Sequence, residues 1–123
     1  MGEPTAFRVE VLRTGGDVTV VQASGELDFY ASPEFRERLM GALEESTSGV
    51  VVDLAAVTFI DSSALGVLVG GARRSAEARR ELMIVCPAGN VARILEITGL
   101  NRAFAIYATR EDALDAVEGS KAQ

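Results

Sequence analysis

The stretch from Gly49 to Gly71 constrains the fold of this chain more than any other. It opens with Gly49-Val50-Val51-Val52-Asp53-Leu54, a β-branched run of strand length and type. Val57-Thr58-Phe59-Ile60 leads on to Asp61-Ser62-Ser63, and from Ala64 to Ala72 every residue is apolar or small. That second run is too long for a strand and is followed by Arg73 and Arg74, so it predicts a largely buried helix. The polar cluster therefore falls where a strand hands over to a helix. At such a junction a side-chain oxygen satisfies otherwise unpaired backbone N–H groups. Two hydroxyls there can be a cap and nothing more, and only the rest of the chain can lift the turn above that role.

Upstream, Phe7, Val9 and Val11 alternate with Arg8 and Glu10, which predicts a first strand with one core face. Thr14-Gly15-Gly16-Asp17 reads as a hairpin turn, and Val18 to Ala23 as a second strand ended by Ser24-Gly25. The loop Gly25-Glu26-Leu27-Asp28-Phe29-Tyr30 follows. Ser32 then Pro33 marks a helix start, with Ser32 as N-cap and apolar positions at Phe35, Leu39, Ala42 and Leu43. Downstream, the long helix is expected to emerge into water around Arg73, Arg74, Glu77, Arg79 and Arg80. Glu81 to Cys86 predicts a further strand closed by Pro87. Val91, Ile94 and Leu95 mark a third helix stopped by Thr98-Gly99. Ala103 to Tyr107 is a last short strand, and Thr109-Arg110-Glu111-Asp112 has capping-box spacing before a helix carrying Leu114 and Val117. Gly119 to Gln123 is read as a frayed tail.

The order is β-β-α-β-α-β-α-β-α, with no internal repeat or linker. Strands separated by helices imply parallel neighbours, while the opening hairpin supplies an antiparallel pair. The expectation is an α/β fold: one domain over 1–123, with an ordered core about 6–118 and a mixed sheet against which the helices pack. Functional groups in such sheets collect beyond the carboxyl ends of the strands, so Asp28 and the Asp61-Ser62-Ser63 turn are expected to lie close together.

Charge and composition remove whole classes of function. A chain of 123 residues with net charge −6 does not suit non-specific nucleic-acid binding, which needs a basic patch. No signal peptide is expected, since Met1-Gly2-Glu3-Pro4 is neither basic nor apolar, and Ala6 stands where a myristoylation motif asks for Ser or Thr. No uncharged run approaches the roughly 20 residues of a membrane span. No membrane partner is expected, Gly66 and Gly70 are read as letting a buried helix approach its sheet, and the location is read as cytoplasmic. With no histidine in the chain, histidine triads and Cys/His zinc sites are excluded. The single cysteine, Cys86, reads as a small buried hydrophobe.

Nor do phosphate-cradling loops occur: there is no GxxxxGK[ST], and no GxGxxG follows the first strand. A two-component receiver domain needs an acidic pair after its first strand and a lysine after its last; here the only lysine is Lys121. Asp28, Asp53 and Asp61 carry carboxylates that can in principle do acid–base work or bind a cation. Asp53 is expected instead to bond nearby backbone, and nothing activates a nucleophile. No enzyme, metal or cofactor is expected.

Three segments together resemble a known family: Gly25-Glu26-Leu27-Asp28, then Val51-Val52-Asp53-Leu54, then Phe59-Ile60-Asp61-Ser62-Ser63-Ala64-Leu65-Gly66-Val67-Leu68. The chain is similar to the anti-sigma factor antagonists, whose fold is the STAS domain. Ile94-Leu95-Glu96-Ile97-Thr98-Gly99-Leu100 also looks like the family's last-helix turn. The resemblance implies a bacterial partner switch. Such proteins bind an anti-sigma factor that is also an ATP-dependent serine kinase, and so free a sigma factor. The kinase then phosphorylates a serine of the Asp-Ser-Ser turn, and a metal-dependent serine phosphatase reverses the step. By motif position the phosphoacceptor is Ser62, with Ser63 a possible second, and Glu26, Asp28, Asp61, Ser62, Ser63, Ala64 and Leu65 form the partner-binding surface. Ala64 replaces the family's usual glycine, which is expected to alter the approach of the kinase loop. Related domains also serve as scaffold modules of stress-signalling complexes and as accessory subunits of lipid transporters. A small nucleotide-binding or hydrolytic enzyme is the third class, marked by nucleotide turnover.

Overall fold

A computed structural model describes residues 7–14 and 17–121, the side chains of residues 118–121 excepted. The β-branched run becomes the longest strand, β3 (Gly49–Ile60). On one side it pairs in parallel with β2 (Val18–Leu27), which pairs antiparallel with β1 (Arg8–Arg13). On the other it pairs in parallel with β4 (Glu81–Val85), and β4 with the short β5 (Ala105–Tyr107). The sheet order is β1-β2-β3-β4-β5. Between the strands run α1 (Ser32–Glu45), α2 (Ser62–Ala78), α3 (Asn90–Ile97) and a one-turn 3-10 helix (Leu100–Arg102), and α4 (Arg110–Lys121) closes the chain. Gly15 and Gly16 of the expected hairpin turn, and residues 122–123 of the expected tail, lie outside the described residues. Residues 119–121 belong to α4 rather than to a frayed end.

Alternation along the central strands sorts the core into two layers. Val50, Val52 and Leu54 face α1, α2 and α3 together with Val21, Ala23, Leu27, Phe35, Leu39, Leu68 and Leu95. Val51 points the other way, joining Val18, Val20, Met83 and Val85 under Ala113 and Val117 of α4. Cys86 is buried, which pushes its thiol pKa up.

Two strands outrun the expectation. β2 continues past Gly25, which takes φ 85° at a register irregularity, and so carries Glu26 and Leu27 in the strand rather than in a loop. β3 runs on through Val57 to Ile60 beside it, well beyond the point where β4 stops pairing. The two central strands therefore project beyond their neighbours at one end. The Asp61-Ser62-Ser63 turn is mounted on that projection.

The close approach of α2 to its neighbours is owed to a glycine other than the two expected. Gly66 has nothing near its would-be Cβ, and Gly70 has only ordinary contact with Met40. At Gly71 an added Cβ would stand 2.7 Å from Leu39 Cδ2, so this glycine seats α1 against α2. The helix is also less buried than its apolar run suggests. Ala64, Val67, Leu68, Gly71 and Ser75 face inward, whereas Ser62, Gly66 and Val69 are exposed along the opposite stripe.

Candidate functional site

Asp61 ends β3 and caps α2. Its extended backbone (φ −114°, ψ −177°) turns one carboxylate oxygen onto the N–H groups of Ser63 at 2.9 Å and Ala64 at 3.2 Å. These donors belong to the first turn of α2, where no helical carbonyl can reach them. The Ser63 hydroxyl donates to the same oxygen. That bond is the main reason the Asp61 carboxyl sits below its ordinary range. Partial burial opposes the shift, and the backbone N–H groups of Ala64, Ser63 and Phe29 reinforce it.

The neighbouring loop is locked in a similar way. Asp28 accepts from the N–H groups of Tyr30 and Ala31, both at 3.0 Å, and its carbonyl accepts from those of Ala31 and Ser32. The two loops are joined twice. Asp61 N–H donates to the Leu27 carbonyl at 3.2 Å, and Ser32 Oγ lies 2.9 Å from Ser63 Oγ. Ser32 Oγ is also 2.9 Å from the Asp28 carbonyl oxygen. The Ser63 proton is committed to Asp61, so the single Ser32 proton is shared between that carbonyl and the Ser63 oxygen. A chain of oxygens thus runs from Asp28 through Ser32 and Ser63 to Asp61.

Ser32 was expected as the N-cap of α1. That place belongs to Ala31, whose backbone is already helical and which makes no side-chain cap bond. Ser32 is instead 7% exposed and serves as the bridge between the loops. Nothing local in the sequence signals this, because its partner Ser63 lies 31 residues away. Since Ser32 opens α1 and Ser63 lies in the first turn of α2, two helix N-termini converge on the site.

Ser62 is the outlier in this bonded cluster. It is exposed at the first position of α2, and its hydroxyl makes no hydrogen bond among the described residues. Asp28, Asp61, Ser62 and Ser63 are therefore brought together as anticipated. Glu26 and Leu65 lie beside them, both partly exposed. Ala64 does not present a contact: it is fully buried in the core, so its methyl group faces away from any approaching protein. The expected effect of its methyl group on that approach loses its physical basis. Asp53, further down β3, bonds the Ala55 N–H as expected, and its other oxygen takes an ion pair from Arg110. It has no part in this site. Among the described residues no group of three or more acidic or cysteine side chains is arranged to hold a metal ion, and no helix is long and apolar enough to cross a membrane.

The five-stranded mixed sheet and its four helices define the class of domain to which the chain belongs. The chain belongs to the STAS domain family, whose family model matches residues 9–113. An anti-sigma-B factor antagonist of Staphylococcus epidermidis is 37% identical over 87 residues, covering 71% of this chain and 81% of that protein. The crystal structure of an anti-sigma factor antagonist from Mycobacterium paratuberculosis superposes with TM-score 0.86 at 29% identity, covering 96% of this chain and 99% of the other. The same fold recurs in the Bacillus cell fate determinant SpoIIAA in its phosphorylated form, with TM-score 0.68 at 24% identity over 91% of this chain and 99% of that one.

Proposed function

We propose that this protein is an anti-sigma factor antagonist whose binding is switched by phosphorylation of Ser62. In the unmodified state it docks on an anti-sigma factor with serine kinase activity and so releases a sigma factor. The kinase transfers the γ-phosphoryl group of ATP to Ser62 Oγ, with ADP leaving and the hydroxyl proton passing to the kinase. A metal-dependent serine phosphatase restores the hydroxyl. The chain itself is not an enzyme in this reading and acts in the cytoplasm.

The observation that carries the reading is the division of labour between adjacent serines. Ser63 is held in bonds to Asp61 and Ser32, while Ser62 is exposed and unbonded among the described residues. Phosphate adds about −1.5 to −2 charges with strong acceptors. At the start of α2 that charge meets the positive end of the helix dipole, so the fold tolerates it. Within the turn it lies beside Asp61, and across an interface it meets any acidic group of the partner that faces Ser62; a like-charge contact in an interface costs on the order of several kcal/mol. About 1.4 kcal/mol is a factor of ten in affinity, so one modification moves binding by orders of magnitude without reshaping the domain.

Incubation with the cognate kinase and ATP is expected to add one phosphate, mapped by mass spectrometry to Ser62. Ser62→Ala is expected to block labelling while preserving binding, and Ser62→Asp to weaken binding. A phosphate on Ser63 overturns the site assignment, and unchanged affinity of Ser62→Asp counts against the electrostatic switch.

A further inference from the structure

Next to the switch stands a pair of large apolar side chains with no packing role. Phe29 is 70% and Tyr30 87% exposed, and their rings meet edge to face at 5.6 Å between centroids. A single exposed aromatic is ordinary, whereas apolar exposure clustered into a patch marks an interaction site. These two are also held in place. The Tyr30 backbone N–H and that of Ala31 after it are both fixed by one oxygen of the Asp28 carboxylate, at 3.0 Å each. Aromatic side chains on a preordered backbone lose little conformational entropy on docking, which suits them as binding anchors.

The charge around them specifies the partner. From Thr14 to Phe35, and again from Leu39 to Ala72, the chain carries no lysine or arginine. Both loops of the site lie inside these stretches, with Glu26, Asp28, Glu34 and Asp61 as their nearby carboxylates. The next arginines along the chain stand on the helices: Arg36, which reaches alongside Gly70, and Arg73, two turns beyond Gly66.

We infer that Phe29 and Tyr30 are the anchor of the partner interface, seated in an apolar pocket of the anti-sigma factor whose lysine or arginine side chains face Glu26, Asp28 and Glu34 rather than Ser62. The inference rests on the functional reading above and adds where most of the binding free energy resides. It also separates two tasks. The aromatic pair supplies affinity in both states, and Ser62 supplies the modification that cancels it.

The test uses the full chain and the purified serine-kinase anti-sigma factors of its source genome, with affinity measured by calorimetry for unmodified protein, Phe29→Ala, Tyr30→Ala, Tyr30→Phe and Ser62→Asp. Tyr30→Ala is expected to weaken binding roughly tenfold or more, as hot-spot truncations do. Tyr30→Phe keeps the ring and is expected to stay within about threefold. Melting temperatures should be unchanged, because the pair contributes nothing to the core. Alanine variants that bind within about twofold of the parent, while Ser62→Asp still releases the partner, overturn the anchor and leave the switch standing. Failure of the unmodified chain to bind any of these kinases removes the functional reading and the anchor with it. Sedimentation of the free protein adds one further arm: a dimer abolished by Tyr30→Ala assigns the pair to self-association and overturns the inference.

Discussion

Asp61 does two jobs with one carboxylate. It caps α2 and it holds Ser63 away from the role open to Ser62. Its folded-state pKa is depressed, so the stability it contributes is present above the unfolded value near 3.8 and is lost as pH falls through the lower folded value. Ser63→Ala removes the principal cause of that depression. The variant is expected to be less stable than the parent by about 1 kcal/mol at neutral pH. Denaturant titrations at a series of pH values should show that difference shrinking once pH drops below the carboxylate range. A difference independent of pH would mean that Ser63 stabilises the fold by some route other than the ionised Asp61.

At the level of elements, the far end of α2 carries an avoidable strain. Arg79 takes φ 58° and ψ 43°, the left-handed conformation in which the chain leaves the helix and in which its N–H bonds back to Ala76 and Ser75 carbonyls. Glycine is the residue suited to that position, since a Cβ there crowds the following carbonyl. The Arg79 side chain makes no ion pair among the described residues, whereas its neighbour Arg80 donates to the Ser46 carbonyl. Arg79→Gly is therefore expected to stabilise the domain by about 0.5–1 kcal/mol, read as a raised midpoint in chemical denaturation with an unchanged slope. Binding at the opposite end of α2 should not respond. A destabilised variant would show that the arginine makes a contact worth more than the strain.

Across the molecule, α4 is tied to the central strand by one ion pair. Arg110 donates to Asp53 at 2.9 and 3.0 Å, and the Asp53 side chain is only 8% exposed. Removing Arg110 leaves a buried carboxylate with a single backbone donor from Ala55. Arg110→Ala is expected to cost about 1–3 kcal/mol, tempered because the arginine is itself partly exposed. Hydrogen exchange should then rise first in α4, while α1 and α2 keep their protection. Loss of protection throughout would mean that the pair supports the whole sheet rather than the docking of one helix.

Element order, the parallel pairing around β3 and the serine turn were legible in the chain, because hydrophobic period and capping chemistry act over a few residues. The bridge from Ser32 to Ser63, the partner of Asp53, the exposed stripe of α2 and the role of Gly71 were not. Each depends on which residues distant in sequence the fold places side by side, and no local pattern records a neighbour 31 or 57 positions away. The sequence by itself determined that a hydroxyl pair opens a helix beyond a buried strand. Only the tertiary structure decided what the turn is joined to, because Ser32, at the start of a second helix arriving from elsewhere in the chain, meets the Ser63 hydroxyl that Asp61 already holds.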